Sequence, residues 1–388
     1  MIRERFLIIF FTSFSLLLTN CKRESIKKSN YLINSKRIIK YVNLKYDSII
    51  LEKVNSSYVG FSRILDTNIF LVDQKFCWVF IFDKKGKFLY KSLGQGNGPK
   101  EINTGIINGY EYLKNTEKHF FIGVVEDCHL YDKDFNKIKT YFLSSLFERS
   151  KLGEKIITDE PLCDKMVYYS FPLIFILRNY KNYMFFPIVM EHPRLNWIVH
   201  PKKFFNSCHI LAKMNLTNGK IIEIMGNYSN VYLENNKLKA FINVLFDIDQ
   251  KGNFYISFEA DSLIYVYDKN FNIKKVFGFE GRNINKNYKN LKTIEEFKKY
   301  YSRQREECGY YTWLEYIDEK KLLFRSYQKG GNAKTDGLQI YRNNVLIGDV
   351  DVPKGFRVDG YMSPYIFSQG IIDEEKEQVK IYRFKIEN

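Results

Sequence analysis

Residues 69–90 read IFLVDQKFCWVFIFDKKGKFLY, and this stretch decides the fold class. Apolar runs at 69–73 and 78–82 are followed by a polar turn, Asp83-Lys84-Lys85-Gly86, and by a further run at 87–90. Short runs of β-branched and aromatic residues bounded by Asp and Gly are typical of strands joined by tight turns. The stretch therefore predicts three short strands, the last two of which form a hairpin.

The same order of strand, polar turn and strand recurs along the chain. The equivalent turn positions are Asp83, Asp132, Asn215, Asp268 and Arg342, at spacings of 49, 83, 53 and 74 residues. Repeats of about 40–50 residues are typical of propeller blades with four strands each. The gap of 83 leaves room for one divergent blade, which we place at about residues 166–190. Counting that blade, the sequence predicts an all-β, six-bladed β-propeller over residues 41–388.

One helix and a ring closure complete the predicted domain. We expect a short helical insertion near 293–306, because Thr293-Ile294-Glu295-Glu296 has the pattern of a capping box. The segment 41–54 is expected to close the ring by joining the final blade at 379–386. Closure is needed because an unpaired sheet edge favours aggregation.

The N-terminus has the layout of a secretory signal peptide. Arg3 and Arg5 precede an apolar run from Phe6 to Leu18, and Cys21 follows at the position of a processing site. The run is shorter than the roughly 20 residues that cross a bilayer. We therefore expect residues 1–20 to be a lipoprotein signal peptide, Cys21 to carry the lipid (palmitate-type acyl chains) as the membrane anchor, and 21–40 to be a flexible tether.

A plain signal peptide, cut elsewhere with Cys21 incidental, stays open as an alternative. Asn20 favours that alternative, because lipoproteins usually have Gly, Ala or Ser before the cysteine. No later segment is apolar for long enough to span a bilayer. The lipid is therefore the expected membrane attachment.

The charge of the chain does not indicate a nucleic-acid partner. The 388 residues include 60 Lys and Arg against 44 Asp and Glu, a formal net charge of +16. The basic residues are scattered and often lie beside Asp or Asn, as in Asp268-Lys269-Asn270, and no nucleic-acid motif is present. Since the chain is also expected to be exported, we exclude nucleic acid. The aromatic fraction of 17% suits a large β-sheet core.

Five further cysteines show neither a CxxC pair nor metal-ligand spacing. Their odd number leaves at least one thiol free or paired between chains, and the sequence does not decide whether any disulfide forms. Cys77 lies within the apolar run 76–80, so we expect its thiol to be buried and to pack as a small hydrophobe. The five are Cys77, Cys128, Cys163, Cys208 and Cys308.

Several blocks of the first repeat resemble a known family. They are Ile50-Leu51-Glu52, Gly60-Phe61-Ser62-Arg63-Ile64, the hairpin 80–86, and Gly94-Gln95-Gly96-Asn97-Gly98-Pro99-Lys100-Glu101. The series is similar to the six-bladed β-propeller lipoproteins of Bacteroidetes, mostly uncharacterised, whose first blade ends in a Gly-x-Gly-x-Gly-Pro-Gly-Glu-like signature; Lys100 replaces the usual Gly. The resemblance covers roughly 45–388. It implies a propeller and an envelope location, and it transfers no catalytic residue.

Surface-exported lipoproteins of this group often carry an acidic run directly after the lipidated cysteine. Here Lys22-Arg23-Glu24 contains a single acid. The periplasmic side of the outer membrane is therefore favoured over the cell surface.

Two motifs resemble ligand loops without completing them. Gly94-x-Gly96-x-Gly98 is spaced like a phosphate loop, but no amphipathic helix follows, so we expect a connection between blades. Asp132-x-Asp134-x-Asn136 copies three calcium-loop positions, but Lys137 replaces the Gly of such loops. This segment and Asp247-x-Asp249 are expected to be polar hairpin turns.

A third stretch holds three types of potential metal ligand, with its histidines at separations of eight and nine, unlike the close pairs of metal sites. We expect an exposed insert there rather than a metal centre. The residues are Glu191, His192, His200, Cys208 and His209.

Four further side chains near loops could stack on a sugar, but core packing is the favoured interpretation because buried aromatic residues dominate core energetics. These are Tyr310, Tyr311, Arg325 and Tyr327.

The sequence contains no recognisable catalytic, cofactor-binding or metal-binding motif. We expect an envelope-anchored, monomeric propeller that acts as a non-enzymatic binding module for a protein or glycan partner. Two alternatives stay open. One is a carbohydrate-active enzyme, a glycosidase or lyase, with its site at the central channel. The other is a structural accessory subunit of an envelope complex.

Overall fold

The computed structural model describes residues 33–65, 67–123, 127–142, 168–169, 176–190 and 195–386. Their strands form six antiparallel blades of a β-propeller. Two strands precede the first complete blade: β1 (Lys36–Tyr41) and β2 (Tyr46–Ile50). Within these residues, no helix is long and apolar enough to cross a membrane.

The first two blades have the strand order expected from the sequence. Blade one contains β3 (Gly60–Leu65), β4 (Asn68–Asp73), β5 (Trp78–Asp83) and β6 (Phe88–Leu93). Blade two contains β7 (Ile107–Leu113), β8 (Lys118–Gly123), β9 (Asp127–Tyr131) and β10 (Lys137–Phe142). A single 3₁₀ turn, Lys114–Thr116, connects β7 to β8.

Blade three is interrupted by a two-stranded ladder and a helix. In chain order the elements are β11 (Tyr168–Tyr169), β12 (Arg178–Tyr180), β13 (Tyr183–Pro187), β14 (Val189–Met190), α1 (Pro201–Ser207), β15 (His209–Asn215) and β16 (Ile221–Asn227). The blade has the order β12-β13-β15-β16, and β11 pairs with β14 beside it.

The last three blades contain the remaining helices. Blade four follows α2 (Asn230–Glu234) and contains β17 (Val244–Ile248), β18 (Phe254–Phe258), β19 (Ile264–Tyr267) and β20 (Ile273–Phe277). Blade five follows α3 (Ile294–Glu307) and contains β21 (Tyr310–Ile317), β22 (Leu322–Gln328), β23 (Asp336–Arg342) and β24 (Val345–Val352). Blade six contains β25 (Val358–Met362), β26 (Tyr365–Ser368), β27 (Ile371–Asp373) and β28 (Gln378–Phe384).

The predicted number of blades is confirmed, but the proposed divergent blade at 166–190 is wrong. Residues 178–187 supply the two inner strands of the blade whose outer hairpin turns at Asn215. The sixth blade instead consists of 358–384 together with β2. The gap of 83 residues is long because 35 residues, including β11, lie between β10 and β12, and because the second connection of blade three contains β14 and α1.

Three of the outer hairpin turns share one side-chain device. The Asp83 carboxylate accepts hydrogen bonds from the backbone N–H groups of Lys85 and Lys87, at 2.8 and 3.0 Å. The carboxylates of Asp132 and Asp268 likewise accept hydrogen bonds from the backbone N–H groups two and four residues later in the chain. Because these aspartates satisfy turn N–H groups, the polar turn is stable wherever the motif recurs. Asp132-x-Asp134-x-Asn136 is thus a hairpin turn, as predicted.

The N-terminal segment crosses three blades before the first complete blade begins. Ser35 Oγ donates to Gly278 O of blade four at 3.0 Å, and β1 pairs in parallel with β24 of blade five. The closing strand β2 then pairs antiparallel with β28, with Ile49 opposite Ile381. The expected closure is therefore present. Residues 36–40, assigned to the tether from composition, are part of β1.

Helix α3 confirms the predicted insertion and positions one side of the candidate site. The backbone N–H of Glu296 donates to Thr293 Oγ1 at 3.1 Å, and the Glu296 carboxylate accepts from the N–H of Lys292 at 2.7 Å. The innermost strands contact one another in the order β3-β25-β21-β17-β12-β7. These six strands all run in the same direction along the propeller axis. The connection that leads into each of them therefore lies on the same face of the propeller as the connection between the second and third strands of each blade. We call it the helix face, because α1, α2 and α3 lie in such connections.

Candidate functional site

Each blade places one charged side chain of its innermost strand at the centre of the propeller. We call these six residues the inner ring. None of them is more than 8% exposed, and each comes from a different strand. The members are Arg63 (β3), Glu111 (β7), Arg178 (β12), Asp247 (β17), Glu315 (β21) and Asp359 (β25). Because an unpaired buried charge is costly, the ring depends on ion pairs between blades.

Arg178 connects three blades. Its Nε donates to Asp247 Oδ1 at 2.6 Å, and its Nη2 donates to Glu315 Oε2 at 2.7 Å. The second oxygen of Asp247 accepts from the backbone N–H of Tyr316 at 2.6 Å. The guanidinium group and both carboxylates are therefore held by charge-assisted hydrogen bonds.

Arg63 connects the other three blades less evenly. Its Nη1 donates to Asp359 Oδ1 at 2.7 Å, whereas Nη2 lies 3.5 Å from Glu111 Oε2. Asp359 Oδ2 also accepts from the backbone N–H of Ile64 at 2.5 Å. Glu111 thus has the longest ion-pair contact in the ring.

Four carboxyl groups share two guanidinium groups, which affects their protonation. Burial raises the pKa of Glu111 to about 7, against the opposing effect of Arg63 and Arg178. Burial also raises the pKa values of Glu315 and Asp359. Glu111, with the longest contact and a pKa near neutrality, is the member that exchanges its proton around pH 7.

Trp313 packs on the inner ring. Its indole Nε1 donates to Glu315 Oε2 at 3.2 Å. The guanidinium groups of Arg178 and Arg357 lie 5.4 and 5.7 Å from its ring centre, within the range of cation–π contacts. The side chain is only 4% exposed. Trp313 therefore separates the inner ring from Arg357.

A pocket of about 320 Å³ opens on the helix face between blades five and six, and we call it the mouth pocket. It is formed by the start of β21, the connection from β22 to β23, the connection from β24 to β25 and the end of α3. Its lining residues are Glu306, Tyr310, Thr312, Gln328, Gly330, Gly331, Ala333, Asp336, Lys354, Gly355 and Arg357.

Arg357 is the most unusual side chain of the mouth pocket. In the described part of the chain, its guanidinium group has no ion pair within 4 Å and no hydrogen bond of its own. Burial lowers its pKa, against the opposing effect of Tyr310, Asp336 and Glu259. Asp336, across the pocket, accepts from the backbone N–H of Gly355 at 2.8 Å, and burial raises its pKa. A guanidinium group with open donors in a pocket is suited to bind a carboxylate or another oxyanion.

The nearby acid Glu259 is already used by another arginine. Arg305 of α3 donates to both Glu259 carboxylate oxygens, at 2.7 and 3.1 Å. Its guanidinium group also lies 4.2 Å from the ring centre of Tyr310, which lines the mouth pocket. This ion pair fixes α3 and Tyr310 at the side of the pocket, and both Glu259 oxygens bond to Arg305 rather than to Arg357.

The four side chains near loops that the sequence indicated as possible sugar contacts lie in two different environments. Tyr311, Arg325 and Tyr327 are at most 2% exposed and pack between blades, which confirms the packing interpretation. The Arg325 guanidinium group lies over the Tyr311 ring at 3.8 Å and donates to Gln339 Oε1. Tyr310 differs from the other three because it reaches the mouth pocket.

The glycine motif at 94–98 is a connection between blades, as expected. The backbone N–H of Gly98 donates to Glu101 Oε2 at 2.8 Å. A Cβ atom on Gly96 would lie 2.1 Å from the same carboxylate oxygen. The Glu101 carboxylate therefore occupies the space in which a phosphate would have to bind.

The prediction for Asp247-x-Asp249 is only half correct. Asp249 accepts from the N–H groups of Lys251 and Asn253 at 3.0 and 2.8 Å, as a turn residue does. Asp247 belongs to the inner ring instead. The two differ because Asp247 lies within β17, whereas this strand ends at Ile248 and Asp249 begins the turn.

The histidine stretch is only partly described. His200 caps α1 and His209 begins β15, where its Nδ1 lies 3.1 Å from Gly226 O. Glu191 and His192 lie outside the described residues, as does Cys21. In the described ranges, no three His, Cys, Asp or Glu side chains are grouped as metal ligands.

Four of the five propeller cysteines lie within the described residues, and all four are buried. Burial raises the pKa of Cys77 to about 11, in accord with a packed thiol. Cys163 lies outside the described residues. The described cysteines are Cys77, Cys128, Cys208 and Cys308.

The sequence-based search missed both the inner ring and Arg357. Single charges within apolar inner strands, as in Tyr110-Glu111-Tyr112 and Leu314-Glu315-Tyr316, are a signal that superposing the repeats could have found. Arg357 lies in the connection Pro353-Lys354-Gly355-Phe356-Arg357, which has no motif.

Comparisons with known proteins agree with this architecture. A family model described as DUF5128, a 6-bladed beta-propeller, matches residues 37–108. A member of the DUF4221 family from Bacteroides vulgatus superposes with a TM-score of 0.65 at 12% identity, over 89% of this chain and 99% of that one. A protein from Bacteroides fragilis described as exported superposes with a TM-score of 0.51 at 13% identity, over 92% and 100%. No curated protein sequence matches.

The chain is a six-bladed β-propeller. Its resemblance to the uncharacterised propeller proteins of Bacteroidetes, drawn above from the first repeat, is confirmed. At 12% and 13% identity, the two solved structures show the fold alone.

Proposed function

We propose that this protein is an envelope lipoprotein, anchored through Cys21, whose propeller is a non-enzymatic binding module for a protein or glycan partner. The partner binds on the helix face and places an anionic group, most simply a carboxylate, in the mouth pocket. The observation that carries this proposal is Arg357, whose guanidinium group faces the pocket without an ion pair in the described part of the chain. The description of the Bacteroides fragilis relative as exported supports the envelope location.

The inner ring supports binding rather than catalysis. A channel enzyme needs carboxyl groups that reach a substrate and carry a suitable pKa. The pKa values of Glu111, Glu315 and Asp359 are raised. All four ring carboxyl groups are at most 8% exposed, however, and three of the four bond to arginines at 2.6–2.7 Å. Such groups hold the blades together. The mouth pocket, in contrast, is open to a ligand from solvent.

The test begins with the lipidated protein. Partners that co-purify from membranes and glycans retained on an array are identified first, and their affinities are then measured with purified variants. Arg357→Gln should weaken binding about tenfold, since hydrogen bonds to a charged group contribute about 1.5–3 kcal/mol and 1.4 kcal/mol is tenfold. Arg357→Lys should recover only part of the loss, because it keeps the charge without the planar fork.

Arg37→Gln is the matched control, because Arg37 is exposed on β1, away from the helix face. It should bind as the unmodified chain does. Equal affinity of the Arg357→Gln and Arg37→Gln variants, with unchanged melting temperatures, would contradict the assignment of the mouth pocket.

A carbohydrate-active enzyme with its site at the central channel is the second candidate, and Glu111 is the observation that favours it. Its pKa of about 7 is suited to general acid catalysis, and its ion-pair contact is the longest in the ring. A hydrolase or lyase assay on bacterial and host glycans with Glu111→Gln tests this. Activity that is lost in the variant supports catalysis, and no activity of the unmodified chain rejects it.

A further inference from the structure

A second pocket, of about 490 Å³, opens on the helix face over blades three and four, and we call it the lysine pocket. It is formed by the start of α1, the connection that follows α2 and the residues just before α3. Its lining residues are Val199, His200, Pro201, Lys202, Lys203, Asn236, Lys239, Asn290 and Lys292. Four lysines thus line it, and among the described residues no aspartate or glutamate does.

Lys239 lies at the base of this lysine pocket and is only 5% exposed. Its Nζ donates to Leu291 O at 2.7 Å, and in the described ranges no carboxylate lies within 4 Å of it. Burial lowers its pKa. The charge of Glu296 opposes this decrease in pKa, but the Glu296 carboxylate already accepts a hydrogen bond from the backbone N–H of Lys292 at the start of α3.

The charges around the lysine pocket are unbalanced. Lys202 and Lys292 are exposed at its rim, and Lys239 is buried at its base. A buried ammonium group without an opposite charge is costly, and further positive groups nearby increase that cost. An anion bound among them would offset both contributions.

The residue types restrict the class of anion. Lysine offers a compact charge with rotatable donors, which suits phosphate or sulfate oxygens, and Asn236 and Asn290 add amide donors. Among the described residues, no Phe, Tyr or Trp side chain lines the lysine pocket, so it lacks the large aromatic surface on which a sugar ring stacks.

We propose that the lysine pocket binds a multiply charged phosphate or sulfate group through Lys202, Lys239 and Lys292. The group can belong to a soluble polyanion or to an anionic lipid headgroup. This site is separate from Arg357 and the mouth pocket, and neither proposal depends on the other.

The test uses the full chain with Cys21→Ser, so that an attached lipid does not itself bind vesicles. One arm measures binding of inorganic triphosphate by isothermal titration calorimetry. The other measures co-sedimentation with phosphatidylcholine vesicles, with and without phosphatidylglycerol. Lys202→Gln with Lys292→Gln removes two exposed charges from the pocket, and Lys84→Gln with Lys85→Gln removes two exposed charges from a hairpin turn of blade one.

We expect saturable binding that the pocket variant weakens about tenfold and the turn variant leaves within about twofold. Binding should also weaken as salt is added, because the rim charges are exposed. Triphosphate binding alone identifies a soluble ligand, and dependence on phosphatidylglycerol alone identifies a headgroup. Absence of binding in both arms, or equal losses in both variants, overturns the proposal, because equal losses reflect net charge only.

Discussion

Replacing Glu111 by Gln should change how the stability of the propeller depends on pH. Glu111 is buried in the inner ring, and its pKa is raised from 4.5 to about 7 in the folded chain. A carboxyl group with a raised folded pKa binds its proton more tightly when folded. Its effect on stability is therefore most favourable below pH 4.5 and is lost as the pH rises through about 7.

The magnitude follows from the difference between the two pKa values. The two pKa values differ by about 2.5. Since a pKa difference of one corresponds to about 1.4 kcal/mol, the effect on the free energy of unfolding is roughly 3 kcal/mol over the full titration. Between pH 8 and pH 5 most of it is realised, about 2–3 kcal/mol. The Gln variant cannot titrate here, and at pH 8 it should be at least as stable as the unmodified chain.

Chemical denaturation at a series of pH values between 5 and 8 measures this. The informative quantity is the difference in free energy of unfolding between the unmodified and variant chains, since the other titrating groups largely cancel. Glu375→Gln, on an exposed turn, is the matched control and should give a flat difference. A flat difference for Glu111→Gln as well would refute the assignment of a raised pKa to this buried carboxyl group.

Three further predictions concern the ring, its closure and the anchor. Arg178→Met should lower the free energy of unfolding by about 3–5 kcal/mol, because it leaves Asp247 and Glu315 buried without their partner; a loss below about 1 kcal/mol in denaturant titrations would contradict this. Leu51→Ala, at a side chain 4% exposed beside β2, should cost about 2–5 kcal/mol and speed proteolysis of the N-terminal segment. Ile50→Ala, at a neighbour 48% exposed, should cost much less, and equal proteolysis of the two would argue against closure by packing. Cys21→Ser should move the protein from the membrane to the soluble fraction with an unchanged melting temperature, and a variant still in the membrane pellet would count against lipid attachment.

Five of the six blades could be predicted from the sequence because the turn device is local. Asp83, Asp132 and Asp268 each bond to N–H groups two and four residues on, so the signal lies within five consecutive positions. The same locality explains the capping box of α3. Features built from neighbouring residues leave a pattern that one sequence shows.

The boundaries of blade three could not be predicted in this way. Strand β12 has three residues and β13 has five, and the connections before and after them are together long enough to resemble a missing repeat. Spacing alone cannot distinguish an insertion inside a blade from an additional blade. Blade six was missed for the related reason that β2, its outermost strand, comes from the other end of the chain.

The candidate sites lay beyond sequence reasoning because their contacts are distant in the chain. Arg63 and Asp359 are 296 positions apart, and Arg178 and Glu315 are 137 apart. Each charge alone resembles an ordinary strand residue. Arg357 is notable only for the partners it lacks among the described residues, and such a lack has no signature in a sequence.

The closing strand also determines when folding can be completed. Asp47 of β2 accepts two hydrogen bonds from Arg383 of β28, 336 positions later, at 2.8 and 3.0 Å. In a chain that emerges N-terminus first, β2 has no partner until the last strand has appeared. The blades in between rest on far more local contacts and can form earlier, whereas the ring closes only in the last step of folding. An interrupted chain that lacks β28 would therefore leave an open arc with an unpaired strand at its start, which is the state most prone to join another copy of itself.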